Sequence, residues 1–361
     1  MNTKRTALAV GATGTAAGLV GLVLLVAPAG AGEAPPSLPP IGAQELVQSV
    51  LSTKLPALSG SVQITENIGL PIPILPTGGT DGTSARVYSD GTGKGRISLV
   101  KQASETTIVE DGSTVWIWDS KDKSVRKIPH GAEAHKQAAE QLADPANAAQ
   151  QLVKAMQEES TVTVDGTARV ADRAVYQLVL TPKPSEKTLL REIRVAIDSE
   201  LRVPLRLEVL ANGQSDPALR IGFTEFKPGS QDPSLFQFTP PQGATVTEST
   251  PGQRVDPKQA HDLISQLNPQ TVGTGWDTVL VGKLPAGALP GASAPGGTAG
   301  KNGRPDVTGL LRTFAKQVSG SFGTGWVVTT KVGSLLLTED GRAAIGAVPE
   351  QVLVDAIGQV K

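Results

Sequence analysis

The stretch REIRVAIDSELRVPLRLEVL, Arg191 to Leu210, constrains the fold more than any other part of the chain. Ile193, Val195 and Ile197 alternate with Glu192, Arg194 and Ala196. Leu205, Leu207 and Val209 alternate with Arg206 and Glu208. Successive side chains on a strand point to opposite faces, so this is a pair of strands with one dry and one wet face. Asp198-Ser199-Glu200 links them as a hairpin turn. The wet face carries charges of opposite sign, which read as solvated cross-strand pairs. The dry face must lie on a core or a cavity.

The same pattern runs along much of the chain. After a helix at Gly42–Leu51, with Leu46, Val47, Val50 and Leu51 on one stripe, strands are expected at 61–67, 85–89, 95–101, 105–110, 114–119 and 124–128. They resume at 160–164, 169–171, 175–181, 189–198, 204–211 and 219–226. Their spacing is that of a meander. Between the two groups, Ala132 to Glu158 reads as helix with a break at Asp144-Pro145, where Asp144 is placed to cap the second half. Helices inserted there would close the mouth of a curved sheet, over either a filled core or an apolar cavity. Residues 68–82 form a Pro/Gly-rich loop that carries Ile72, Ile74 and Leu75.

One strand is apolar on both faces. VEDGSTVWIWDSKDK places Trp116 and Trp118 on one side and Val115 and Ile117 on the other. Either pair could look at the cavity, and aromatic bulk favours the indoles there.

Beyond Glu248–Gly252 the pattern changes. Residues 251–361 read as a small α+β module: helix at Pro257–Leu267, strand at Trp276–Val281, low-complexity loop at 285–303 and helix at Val307–Val318. Strands at Trp326–Thr330 and Ser334–Thr338, an Asp340-Gly341 turn, one more strand and a helix at Glu350–Val360 complete it. GTGW occurs at Gly273–Trp276 and again at Gly323–Trp326, as shared turn usage or as a duplicated unit.

Composition excludes several functions. With 40 glycines, 27 prolines and only 3% aromatic residues in 361, the chain favours turns and an aliphatic core. A formal net charge of −1 with mixed signs argues against nucleic acid. No cysteine is present, which removes disulfides, thiolate metal sites and a Cys nucleophile. His130, His135 and His261 lack metal-ligand spacing, and Gly91–Gly95 lacks the spacer and hydroxyl of a phosphate loop. No catalytic residue, metal or cofactor is expected, and the chain reads as a non-enzyme. At the N-terminus, Lys4 and Arg5 precede an apolar run, Ala7 to Val26, and then Ala29-Gly30-Ala31. This is the pattern of a signal peptide over residues 1–31, cleaved after Ala31, with an uncleaved anchor as the alternative. Both place the body outside the cytoplasm, and a Pro-rich linker, 32–41, follows.

Five segments in order resemble one family: AQELVQSVL with LSGSVQITE; VEDGSTVWIWDSKDKSVRKIP; ARVADRAVYQLVLTPK; REIRVAIDSELRVPLRLEVL; and FTEFKPGSQDPSLFQFTPPQGATV. Residues 42–250 resemble the LolA-like lipoprotein and lipid carriers, in their actinobacterial branch, related to the N-terminal domain of the MucB/RseB regulators. The resemblance implies a mainly β fold: a half-open antiparallel barrel of about eleven strands with a helical lid over an apolar cavity. It implies an exported, envelope-associated carrier or buffer for acyl chains of lipids or lipoproteins, acting at a membrane surface. The cavity would be lined by Trp116, Trp118, Ile97, Leu99, Leu178, Leu180, Ile193, Val195, Ile197, Leu205, Leu207 and Val209. The family's cavity arginine has no assignable counterpart; Arg86 and Arg96 are candidates by strand location, with a wet-face role the alternative. The 251–361 module suggests the alternative function, a regulator of MucB/RseB type that binds a membrane partner such as an anti-sigma factor.

Overall fold

The computed structural model describes residues 35–69, 83–101, 104–129, 153–248, 270–283 and 315–360. The segment expected as a signal peptide with Ala29 and Ala31, most of the 68–82 loop, the helix expected from Ala132 as far as residue 152, the helix expected at 257–267, the loop expected at 285–303 and all three histidines lie outside them.

Twelve strands build one sheet. The first meander comprises β1 (Ala57–Glu66), β2 (Thr83–Asp90), β3 (Gly95–Lys101), β4 (Ser104–Glu110), β5 (Thr114–Asp119) and β6 (Ser124–Pro129). The second comprises β7 (Ser160–Val170), β8 (Arg173–Pro182), β9 (Leu190–Asp198), β10 (Pro204–Ala211) and β11 (Leu219–Pro228), and β12 (Thr245–Glu248) follows. The order is β12-β6-β5-β4-β3-β2-β1-β11-β10-β9-β8-β7. Each meander grows by hairpins, and the long-range β1–β11 pairing welds the two together. Every pair is antiparallel except β12 with β6. Gly60 makes the weld possible: a Cβ there would sit 2.6 Å from the Glu225 carbonyl and 2.7 Å from the Phe223 ring. The sheet is open at β12 and β7 yet curls far enough for β7 to approach β11. This is the half-open barrel expected, mainly β.

Helix α1 (Ala43–Ser52) lies on one face of this sheet. Its stripe buries Leu46 and Val47 among Val162, Tyr176, Leu178 and Ile197. Glu45 in its first turn suits the helix dipole. The helix stops at Thr53, whose N–H turns back to the Val50 carbonyl, three residues before Pro56. A helical turn at 153–159, α2, adds Val153 and Met156 to the same cluster. A second cluster joins Leu58, Phe226, Val175 and Leu205. No helix among the described residues is long and apolar enough to cross a membrane.

The remaining strands are β13 (Gln270–Val272), β14 (Val279–Lys283), β15 (Lys316–Gly320), β16 (Gly323–Thr329), β17 (Ser334–Thr338) and β18 (Arg342–Gly346). They form a six-stranded antiparallel sheet in the order β13-β14-β18-β17-β16-β15. Helix α3 (Glu350–Gln359) covers one face and buries Leu353, Ala356 and Ile357 against Val279, Val281, Leu336 and Ala344.

Two local expectations fail here. Of the helix expected at Val307–Val318, residues 307–314 lie outside the described residues and the end is strand: Lys316–Gly320 pairs with β16 as a hairpin, Gln317 opposite Trp326. Strand pairing outweighs the weak helical spacing of so short an apolar run. The strand expected at Trp276 starts only at Val279, because Gly275–Asp277 forms a 3-10 turn capped by Thr274 and Asp277. The two GTGW copies therefore differ, since the second already lies in β16.

Candidate functional site

Register decides which side chains share the inner face, the one that carries α1. Directly opposed residues in an antiparallel pair point the same way. One row runs Ile64, Ile221, Leu207, Val195, Leu178 and Val164 across six strands, from β1 through β11 to β7. A second runs Ile117, Ile108, Ile97, Val87 and Gly60, from β5 to β1. Alternation along β1 joins them through Val62, so the apolar face is continuous from β5 to β7.

The two halves are filled differently. Over β7–β9, α1 and α2 close the face. Over β2–β4 a cavity of about 960 Å³ remains, lined by Leu51, Leu55, Val87, Ile97 and Ile108. Its volume is at the top of the usual small-molecule range of about 300–1,000 Å³. Leu55 keeps 52% of its surface exposed and Ile97 38%, large apolar side chains left facing a hollow. The mouth is formed by Ser52–Lys54 after α1 and by the β2–β3 turn, Gly91–Gly95. Asp90 builds that turn by accepting from the N–H groups of Thr92 (2.7 Å) and Lys94 (3.0 Å). Burial raises the Asp90 pKa, but those bonds and the nearby Lys94 ammonium outweigh it and hold the group below the usual carboxylate range.

The tryptophans look the other way. Trp116 shares its row with Val109 and Arg96, on the face opposite Ile117, Ile108 and Ile97. Its ring lies 5.6 Å from Phe238, with Lys127 over it, and its Nε1 donates to Asp111 (2.9 Å) in the β4–β5 turn. Trp118 follows by alternation, opposite Thr107 and Val125. Arg96 is on this outer face too, its guanidinium reaching the Leu235 carbonyl, and Arg86 shares the face opposite Ser98. The segment after β11 covers that face, which a strand-by-strand reading could not foresee.

Of the other residues expected in the cavity, Ile97 lines it and Leu99 shares its face. Leu178, Leu180, Val195 and Ile197 pack in the cluster under α1, and Leu207 and Val209 continue the same face opposite Val195 and Ile193. Leu205 sits at the β9–β10 bulge in the second cluster. Ile193 lines a smaller hollow of about 380 Å³ with Met156, Leu190 and Trp276. Leu51, Leu55, Val87 and Ile108 were missed. The turns at Gly91–Gly95 and Gly112 set the register that aligns Val87, Ile97 and Ile108, and this signal was present in the sequence.

The smaller hollow lies where the two sheets meet. The Leu189 N–H and the Thr188 hydroxyl both donate to the Ala347 carbonyl, at 2.8 and 2.7 Å. Lys331 donates from its N–H to the Ile68 carbonyl and from Nζ to Asn67. Trp276 donates from its indole to Ser160 (2.7 Å) and from its N–H to Glu186 (2.9 Å). Glu159 packs on Gly275, whose φ of +61° and lack of Cβ leave it room. Burial raises the Glu186 pKa, as do its hydrogen bond with Glu159 and the charge of Asp277. Elsewhere, Asp198 is buried against Arg173; burial alone would raise its pKa, but Arg173 and the N–H groups of Leu201 and Glu200 hold it low. Among the described residues no group of His, Asp and Glu could hold a metal ion.

The described residues thus form a curled half-open sheet with an apolar inner face and an open cavity. No family model and no curated protein matches the sequence. Among solved structures, a chain of the Pseudomonas aeruginosa MucA/MucB complex is similar at 15% identity and TM-score 0.43, over 88% of this chain and 96% of that one. A LolA superfamily protein from Nitrosomonas europaea is similar at 13% identity and TM-score 0.24, over 55% and 99%. An uncharacterised conserved protein from Thermus thermophilus gives 16%, 0.34, 57% and 97%. At these identities and TM-scores the likenesses assign no function.

Proposed function

We propose that this chain is a non-catalytic, extracytoplasmic binding protein that holds the acyl chain of a lipid or lipoprotein in the cavity of its twelve-stranded sheet. One observation carries the reading: a hollow of about 960 Å³ whose side chains include Leu51, Leu55, Val87, Ile97 and Ile108. Each methylene moved there from water is worth ~0.8 kcal/mol, so a long chain binds without any specific polar contact. Native mass spectrometry of the chain purified without detergent, followed by organic extraction, tests it. A stoichiometric acyl-containing ligand is expected. A ligand-free mass that persists after acyl lipids are offered would remove the proposal.

A second reading, a regulator that binds a membrane-protein partner, draws on the other sheet. Leu280, Ile345 and Leu335 stand side by side on its face away from α3, at 49%, 54% and 36% exposure. Loss of partner capture in Ile345→Asp with lipid binding intact would favour it.

A further inference from the structure

The mouth of the cavity carries a charge that its apolar floor does not need. Lys54 follows α1 on one side, and Lys94 stands in the β2–β3 turn on the other; both line the hollow. Among the described residues no ion pair holds either ammonium, and Lys94 acts on Asp90 only through space. Glu110 lines the hollow as well, and the carboxylates at the mouth accept from backbone N–H groups. Asp90 accepts two backbone N–H groups of its own turn, and Glu110 accepts the Gly112 N–H at 2.9 Å. Arg96, which also borders the hollow, turns its guanidinium to the Leu235 carbonyl on the outer face. Two lysines that no salt bridge among the described residues holds, Lys94 beside the Asp90 carboxylate, therefore flank an apolar hollow.

We infer that the cavity selects amphiphiles with an anionic head, a carboxylate or a phosphate, whose chain lies on Val87, Ile97 and Ile108 while Lys54 and Lys94 hold the head. This rests on the acyl-binding reading and adds the sign of the head group. A cation at an open mouth costs little desolvation and attracts an anion over roughly 10 Å at 0.1 M salt. Its contribution is modest beside that of the chain, so it sets preference and not the bulk of affinity.

The test measures binding of hexadecanoate, dihexadecanoyl phosphatidate and uncharged dihexadecanoylglycerol to the full chain, at low salt and at high salt. One or both anionic ligands should bind about tenfold more tightly than the neutral one at low salt, given up to ~1 kcal/mol from each lysine. That preference should shrink at high salt and vanish in the Lys54→Gln/Lys94→Gln double variant, with dihexadecanoylglycerol binding unchanged. Preference for phosphatidate identifies a phosphate head, and preference for hexadecanoate a carboxylate. Equal binding of all three, or a preference that survives the double variant, would overturn the head-group inference and leave the acyl cavity standing. Binding of none would remove both. A circular-dichroism melt of the double variant matching the parent keeps misfolding out of the comparison.

Discussion

The two sheets use the same chemistry and reach opposite results. In the six-stranded sheet, α3 lies squarely on the apolar face, and Leu353, Ile357, Val279 and Leu336 are all fully buried. In the twelve-stranded sheet, α1 does the same over β7–β9, but among the described residues no helix covers β2–β4, and Ile97 keeps more than a third of its surface. Alternating strands make a dry face in both. Among the described residues, the reach of the covering helix separates the filled core from the hollow.

The largest expected effect tests the filled side. Leu353→Ala or Ile357→Ala should cost ~2–5 kcal/mol in urea unfolding, because both side chains are fully buried between α3 and its sheet. Ile97→Ala, by contrast, should cost about 1 kcal/mol or less while weakening acyl binding, since its side chain already faces a cavity. Equal costs at the two sites would erase the distinction.

The joint between the sheets supplies the next test. Trp276→Phe keeps the ring and removes the indole donor to Ser160, at a cost of ~1 kcal/mol, and should raise amide exchange around Val279. Its pH dependence has a definite sign. Glu186 has a folded pKa above its ordinary value, so its contribution is complete below the ordinary glutamate range and fades as pH rises through the raised value. Asp198 is the mirror case: its contribution is complete above the ordinary aspartate range and is lost as pH falls toward its lowered value. Proteolysis between the sheets should therefore quicken from acid toward neutral pH, and Glu159→Gln should flatten that rise. A joint insensitive to pH in this range would show that Glu159 and Glu186 share no proton.

The smallest effect concerns the indoles. Because Trp116 is pinned between Phe238 and Asp111 on the outer face, ligand in the cavity should leave its emission nearly unchanged. A large blue shift that disappears in Trp116→Phe would place the ligand on the wrong side of β5.

Much of this was legible one strand at a time. The alternation of Ile193, Val195 and Ile197 marked a dry face, and Val195 indeed lies in the apolar row that crosses six strands. The α1 stripe announced its buried side through Leu46 and Val47. The tryptophan strand was different, because both its faces are apolar and period-two patterning cannot rank them. Lys316–Val318, the end of the helix expected at Val307–Val318, misled for a related reason: a short apolar run fits helix or strand until a partner such as β16 appears.

Local sequence thus determined most strands of the twelve-stranded sheet, which side chains share a face, and that an aliphatic inner surface had to exist, because these follow from backbone geometry and from turns at particular glycines and aspartates. Only the tertiary structure decided that β1 pairs with β11, that Phe238 claims the indole face, and that α1 stops short of Ile97. Those outcomes depend on segments far apart in the chain competing for the same apolar area, and burial is won by whichever arrangement removes most of it from water.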